Sequence, residues 1–136
     1  MLADTLDATQ KEILVHVLCE VAQADQFVSV SEREVIVRYA LSLGLSTDQV
    51  EQAIAQAQVI PDAMLQALPE PARRVILIEA QTLAMIDGTY AETERIKISD
   101  LAERLKLEPE VVQSIDSYVQ RGFEWALEGS RLIGVD

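Results

Sequence analysis

Asp25, Glu32, Arg33, Ile36 and Ala40 recur 62 residues further on as Asp87, Glu94, Arg95, Ile98 and Ala102, in the same order and without a gap. Ala22, Leu43, Leu45 and Val50 have Ala84, Leu105, Leu107 and Val112 at the same offset. Apolar positions coincide easily by chance, whereas an Asp, a Glu and an Arg held at one spacing do not. A chain that repeats itself in this way folds as two like units, each burying its apolar face against the other. We read an internal duplication over about residues 10–60 and 72–126. No Gly- or Ser-rich linker separates the halves, so all 136 residues are expected to form one domain.

The unit itself reads as helix–loop–helix. Ile13, Leu14, Val17, Leu18 and Val21 recur at three- and four-residue spacing, one apolar helix face. Thr9 with Glu12, Ser31 with Glu34, and Ser46 with Gln49 have the spacing of capping boxes, in which two side chains satisfy the orphan N–H groups of a helix start. Gly44 marks a helix end. Pro61 and Asp62 open a short helix around Met64–Leu68. In the second half the pattern predicts a helix over 71–86, a helix capped by Thr93, and a last helix from Pro109 to Ala126, with an irregular tail after Gly129. Only 4% of residues are aromatic although 49% are hydrophobic, so the core must be aliphatic. The expectation is an all-α, single-domain bundle of about seven helices.

Charge narrows the partners. With 23 acids against 11 bases the net charge is −12, which repels a phosphate backbone, and nucleic-acid binding rests on cationic contacts. No apolar run approaches the roughly 20 residues of a membrane span. The first residues lack a basic region followed by an apolar one, so the chain does not open like a secretory signal and a cytoplasmic setting is expected. The lone Cys19 cannot form an intramolecular disulfide and reads as an inert, half-buried thiol.

The chemistry-bearing residues gather in two loops, Asp25–Glu32 and Asp87–Glu94. In each an Asp leaves a helix end and a Glu enters the next helix. The two loops in phase, Ala24-Asp25-Gln26-Phe27-Val28-Ser29-Val30-Ser31-Glu32 and Ile86-Asp87-Gly88-Thr89-Tyr90-Ala91-Glu92-Thr93-Glu94, resemble the signature of the tellurite-resistance TerB family: Ala-Asp-Gly, an apolar residue two further on, a Ser, then Glu. It is found also in the TerB-like domain of some membrane-anchored DnaJ-type co-chaperones. The resemblance covers about residues 10–126, and Gln26 stands where the family pattern has Gly. It implies an all-helical acidic fold, a link to stress and tellurite resistance, an association with divalent cations, and no enzymatic activity.

Two readings of the loop acids follow. In one, Asp25, Glu32, Asp87 and Glu94 hold a hard cation (calcium, magnesium, manganese or zinc) through oxygen ligands. In the other, each Asp bonds its own loop's backbone and each Glu sits where a helix N-terminus favours an anion. The alternating ligands of an EF-hand are missing. Glu79 interrupts the apolar run Val75–Ile78, and burying a carboxylate is costly unless it is paired or protonated. It is expected to be mostly buried, either matched to a base such as Arg73 or Arg74 or raised in pKa, and it is the fifth candidate cation ligand.

His16 lies between Glu12 and Glu20, a set read as a solvated helix face. With one histidine the chain lacks the means for a zinc site or a His-based hydrolase. Phe123 and Trp125 cannot both face one partner on a helix, so one of them is expected at a rim suited to docking, with Tyr118 in the core. The sequence thus predicts a TerB-like stress-response module that requires no cofactor, binding a divalent cation or a protein partner. The alternative is a scaffold domain, similar to a co-chaperone regulatory domain, with purely structural loop acids.

Overall fold

A computed structural model describes residues 2–22, 30–56, 60–86 and 92–135, with the side chains of residues 30–32 excepted. After one 3-10 turn, Leu2–Thr5, the described residues form α1 (Ala8–Ala22), α2 (Val30–Ser42), α3 (Thr47–Gln56), α4 (Asp62–Gln66), α5 (Glu70–Ala84), α6 (Glu92–Arg104) and α7 (Pro109–Leu132). No strand occurs among them. The all-α bundle of seven helices is therefore as the sequence predicts.

α1 and α5 form the centre. On α1, Ile13, Leu14, Val15, Val17, Leu18, Cys19, Glu20 and Val21 are all buried, and a helix buried nearly all round has no place but the interior. α5 is similar, through Val75, Ile76, Leu77 and Ala80. The two make the most extensive helix pairing in the molecule; α2 and α3 flank α1, while α6 and α7 flank α5. The 3-10 turn folds onto α5 and buries Ala3. The core is aliphatic as composition requires, and Cys19 lies fully inside it rather than half-buried.

Helix ends explain where the sequence reading slipped. α1 starts two residues before the Thr9 box, because Asp7 and Gln10 form it instead. The Gln10 N–H donates to Asp7 Oδ1 at 2.8 Å and the Asp7 N–H to Gln10 Oε1 at 2.9 Å. A carboxylate competes at least as well as a hydroxyl for this role. Ser46 and Gln49 do form the expected box before α3. Ser31 and Thr93 lie one residue inside α2 and α6 rather than ahead of them. Pro109 takes the first turn of α7, where its missing N–H costs nothing. α7 then runs to Leu132, past Gly122 and Gly129, so the irregular tail of the sequence reading is helix.

The helix bounds repeat. α1 and α5 both span 15 residues and α2 and α6 both span 13, each pair offset by 62, and α3 and α7 begin at Thr47 and Pro109. The ends of α2 and α6 close alike: the Leu45 N–H reaches Ala40 O at 3.1 Å and the Leu107 N–H reaches Ala102 O at 3.3 Å. Both closures need one left-handed residue, supplied by Gly44 at φ 91 and by Lys106 at φ 51. Only glycine adopts that conformation freely. Gly44→Ala should therefore cost about 1–2 kcal/mol of stability. Lys106→Gly, which relieves the same strain, should cost nothing or gain. Urea denaturation of both variants measures the contrast.

Candidate functional site

The loop acids are unequally placed. Asp25 and Asp87 lie outside the described residues, as does the Glu32 side chain, whose backbone opens α2. Glu94 is half-buried in the first turn of α6, beside Glu92. An anion there is favoured by the positive end of the helix. Among the described residues no group of three or more His, Cys, Asp or Glu side chains comes close enough to hold a metal ion.

Glu79 is less buried than its position in an apolar run predicts, but its carboxyl is raised as expected. It lies half-buried on α5, and burial raises its carboxyl above the ordinary range, against a weaker opposing influence from Tyr39 of α2. Arg73 does not pair with it: its guanidinium caps the end of α6, donating to Leu105 O at 2.7 Å and to Leu68 O at 3.1 Å. Arg74 pairs with Glu70. The Tyr39 hydroxyl is buried next to Glu79 without closing a well-formed hydrogen bond. Burial first, then the neighbouring Glu79 charge, pushes its pKa upward. Glu79 and Tyr39 thus face each other as a pair of acids, in which burial holds both protons more tightly and the Glu79 carboxyl raises Tyr39 further, while Tyr39 partly offsets the rise at Glu79.

A second polar group escaped the sequence reading. Glu20 is 8% exposed, not solvated with Glu12 and His16. Its Oε1 accepts from Arg104 Nη1 at 2.7 Å, and Arg104 Nε donates to Asp62 Oδ1 at 2.8 Å. Arg104 also donates to Ile60 O. One guanidinium thereby ties α1, α4 and α6 together, while Glu20 Oε2 stays buried without a partner. The error has a geometric cause. Each four-residue step advances about 40° around a helix, so Glu12, His16 and Glu20 drift toward the apolar stripe, and Glu20 ends beside Ile13 and Val17.

The aromatic residues of α7 separate as a helical period requires. Phe123 packs, half-buried, against the core, and Trp125 is 79% exposed. Tyr118, expected inside, is half exposed. With Gly122 and Ala126 these residues line an open groove of about 770 Å³.

Two substitutions test this polar architecture. Glu79→Gln removes a carboxyl whose folded pKa is raised. Such a group stabilises the fold while protonated and loses that contribution as pH rises through its folded pKa. The variant should therefore gain stability over the wild type progressively from acid toward neutral pH, as thermal melts at several pH values would record. Arg104→Ala should cost about 3–5 kcal/mol in urea denaturation, since it strands the buried Glu20 charge.

Comparison with known proteins accords with this architecture. The profile of the family described as tellurite resistance protein TerB matches residues 1–55. No curated protein matches the chain. The crystal structure of a tellurite resistance protein from Nostoc punctiforme superposes with a TM-score of 0.69 at 24% identity, covering 93% of this chain and 80% of that one. No described helix is long and apolar enough to cross a membrane. The chain is TerB-like in sequence over residues 1–55 and shares the fold of a tellurite resistance protein over nearly its whole length.

Proposed function

We propose that this chain is a non-catalytic, TerB-like stress-response module that binds a divalent cation through the acidic loops following α1 and α5. The observation that carries the reading is the equivalence of the two helix junctions. α1 with α2, and α5 with α6, have matching lengths and a matching offset, so the acids of the two loops belong to like positions in two like units. We take those units to descend from one duplicated ancestor. Asp25 with Glu32 and Asp87 with Glu94 supply the oxygen ligands suited to a hard cation. Glu79 lies eight residues before Asp87 and is the fifth carboxyl offered to the second loop. The net charge of −12 favours cation approach throughout.

A scaffold reading has its own support. Glu92 and Glu94 occupy the first turn of α6, where a helix N-terminus stabilises an anion without any metal. Under that reading the domain docks a protein partner, and its acids only shape the loops.

Calorimetric titration with calcium, magnesium, manganese and zinc separates the two. Gly88 can turn carbonyls toward an ion at little conformational cost, which Gln26 cannot do. Asp87→Asn should thus weaken binding by at least about tenfold, the loss caused by removing even an outer partner of a bound metal. Asp25→Asn should weaken it less, at similar fold stability. If no ion binds and none raises the melting temperature, the cation reading falls and the scaffold reading stands.

A further inference from the structure

α7 outruns the bundle that holds it. Its inner face packs on α5 through Ile115 and Val119, but a second stripe faces outward. Tyr118, Gly122, Trp125, Gly129 and Leu132 follow one another at alternating four- and three-residue steps, the repeat that keeps one face of a helix against a partner helix. Trp125 and Leu132 on this stripe are 79% and 81% exposed. The two glycines are unexplained within the chain. Glycine is the poorest helix former after proline, yet a Cβ added at Gly122 or Gly129 would meet nothing within 4 Å. No described neighbour demands their smallness, and their place one turn either side of Trp125 leaves room for a bulky ring from outside.

Charge decides what fits. Arg121 and Glu128 lie along the same edge of the stripe, one on each side of Trp125, and both are exposed. A second copy of α7 running parallel would set Arg121 and Glu128 against the partner's other edge, where Ala126 lies, and leave both charges unanswered. A copy running antiparallel, about a two-fold axis beside Trp125, sets Arg121 of each copy against Glu128 of the other. The same axis brings Tyr118 against Leu132 and the two Trp125 rings together between the glycine notches. One axis satisfies the charged, aromatic and aliphatic positions at once, which is the self-complementarity of an isologous contact.

We propose that this chain forms a homodimer through the outer face of α7, antiparallel and centred on Trp125. The inference does not depend on whether the acidic loops bind a cation. The apolar stripe is short, so the interface belongs to the smaller, reversible class.

Sedimentation equilibrium of the full chain over a wide concentration range tests this, with the emission of its single tryptophan followed on dilution. The wild type should dimerise reversibly, with Trp125 emission moving to longer wavelength as the dimer dissociates. Trp125→Asp should raise the dissociation constant about 30-fold or more, the loss typical of a central aromatic anchor. Arg121→Glu and Glu128→Arg should each weaken the dimer, and the double reversal should restore it. These positions are exposed, and circular dichroism checks that each variant folds. A wild type that stays monomeric throughout overturns the proposal. So does a dimer that survives Trp125→Asp, which places the contact elsewhere, or charge reversals without effect, which exclude the antiparallel register.

Discussion

Two helices with almost no polar face determine this structure. α1 and α5 each bury residues around nearly their whole circumference, so neither can lie at a surface, and a pair of such helices must lie against each other. Once they do, the remaining elements have little freedom. Each central helix is flanked by the two that follow it, and the short segments between fill the gaps. The polar side chains that intrude on this centre must then be answered individually, because a buried charge without a counterpart costs several kcal/mol. Gln81 is answered by Asp116, Nε2 to Oδ1 at 2.6 Å. Glu20 is answered by Arg104, and Glu79 is left half-buried with its carboxyl raised above the ordinary range.

The polar intrusions also fall where the two halves differ in sequence. At the shared offset, Glu79 stands where the first half has Val17, and Tyr39 where the second has Leu101. Those two departures face each other across the halves. Likewise Glu20 corresponds to Thr82 and Arg104 to Ser42, and these departures form the ion pair. In these two cases an exception in one half meets an exception in the other, whereas Gln81 and Asp116, which stand where the first half has Cys19 and Ile54, pair within the second half. The two pairs that cross the halves cannot be satisfied by either unit alone, which makes the halves energetically dependent on one another.

Helix number, helix type and the aliphatic core were legible in the sequence, because three- and four-residue periodicity and capping chemistry are local signals. Boundaries moved where two local signals competed, as at Asp7 against Thr9, and where a glycine was read as a stop that α7 passes through. Glu79 was legible because it breaks an apolar run. The Glu20–Arg104 pair was not: its partners are 84 residues apart, and nothing local marks a side chain whose counterpart arrives only through tertiary packing. Of the candidate cation ligands, Glu79 and Glu94 lie among the described side chains, while Asp25, Asp87 and the Glu32 side chain lie outside them.

The chain's single cysteine occupies the middle of α1, fully enclosed, with burial raising its thiol to about 11. Thiolates, not thiols, react with oxidants and alkylating reagents. In the native state Cys19 is therefore shielded twice, by access and by protonation. Only an opening that draws a neighbouring helix away from α1 exposes it. The rate at which the thiol becomes labelled is accordingly a clock for the opening of the helices packed around α1, built into the centre of the molecule and readable without perturbing it.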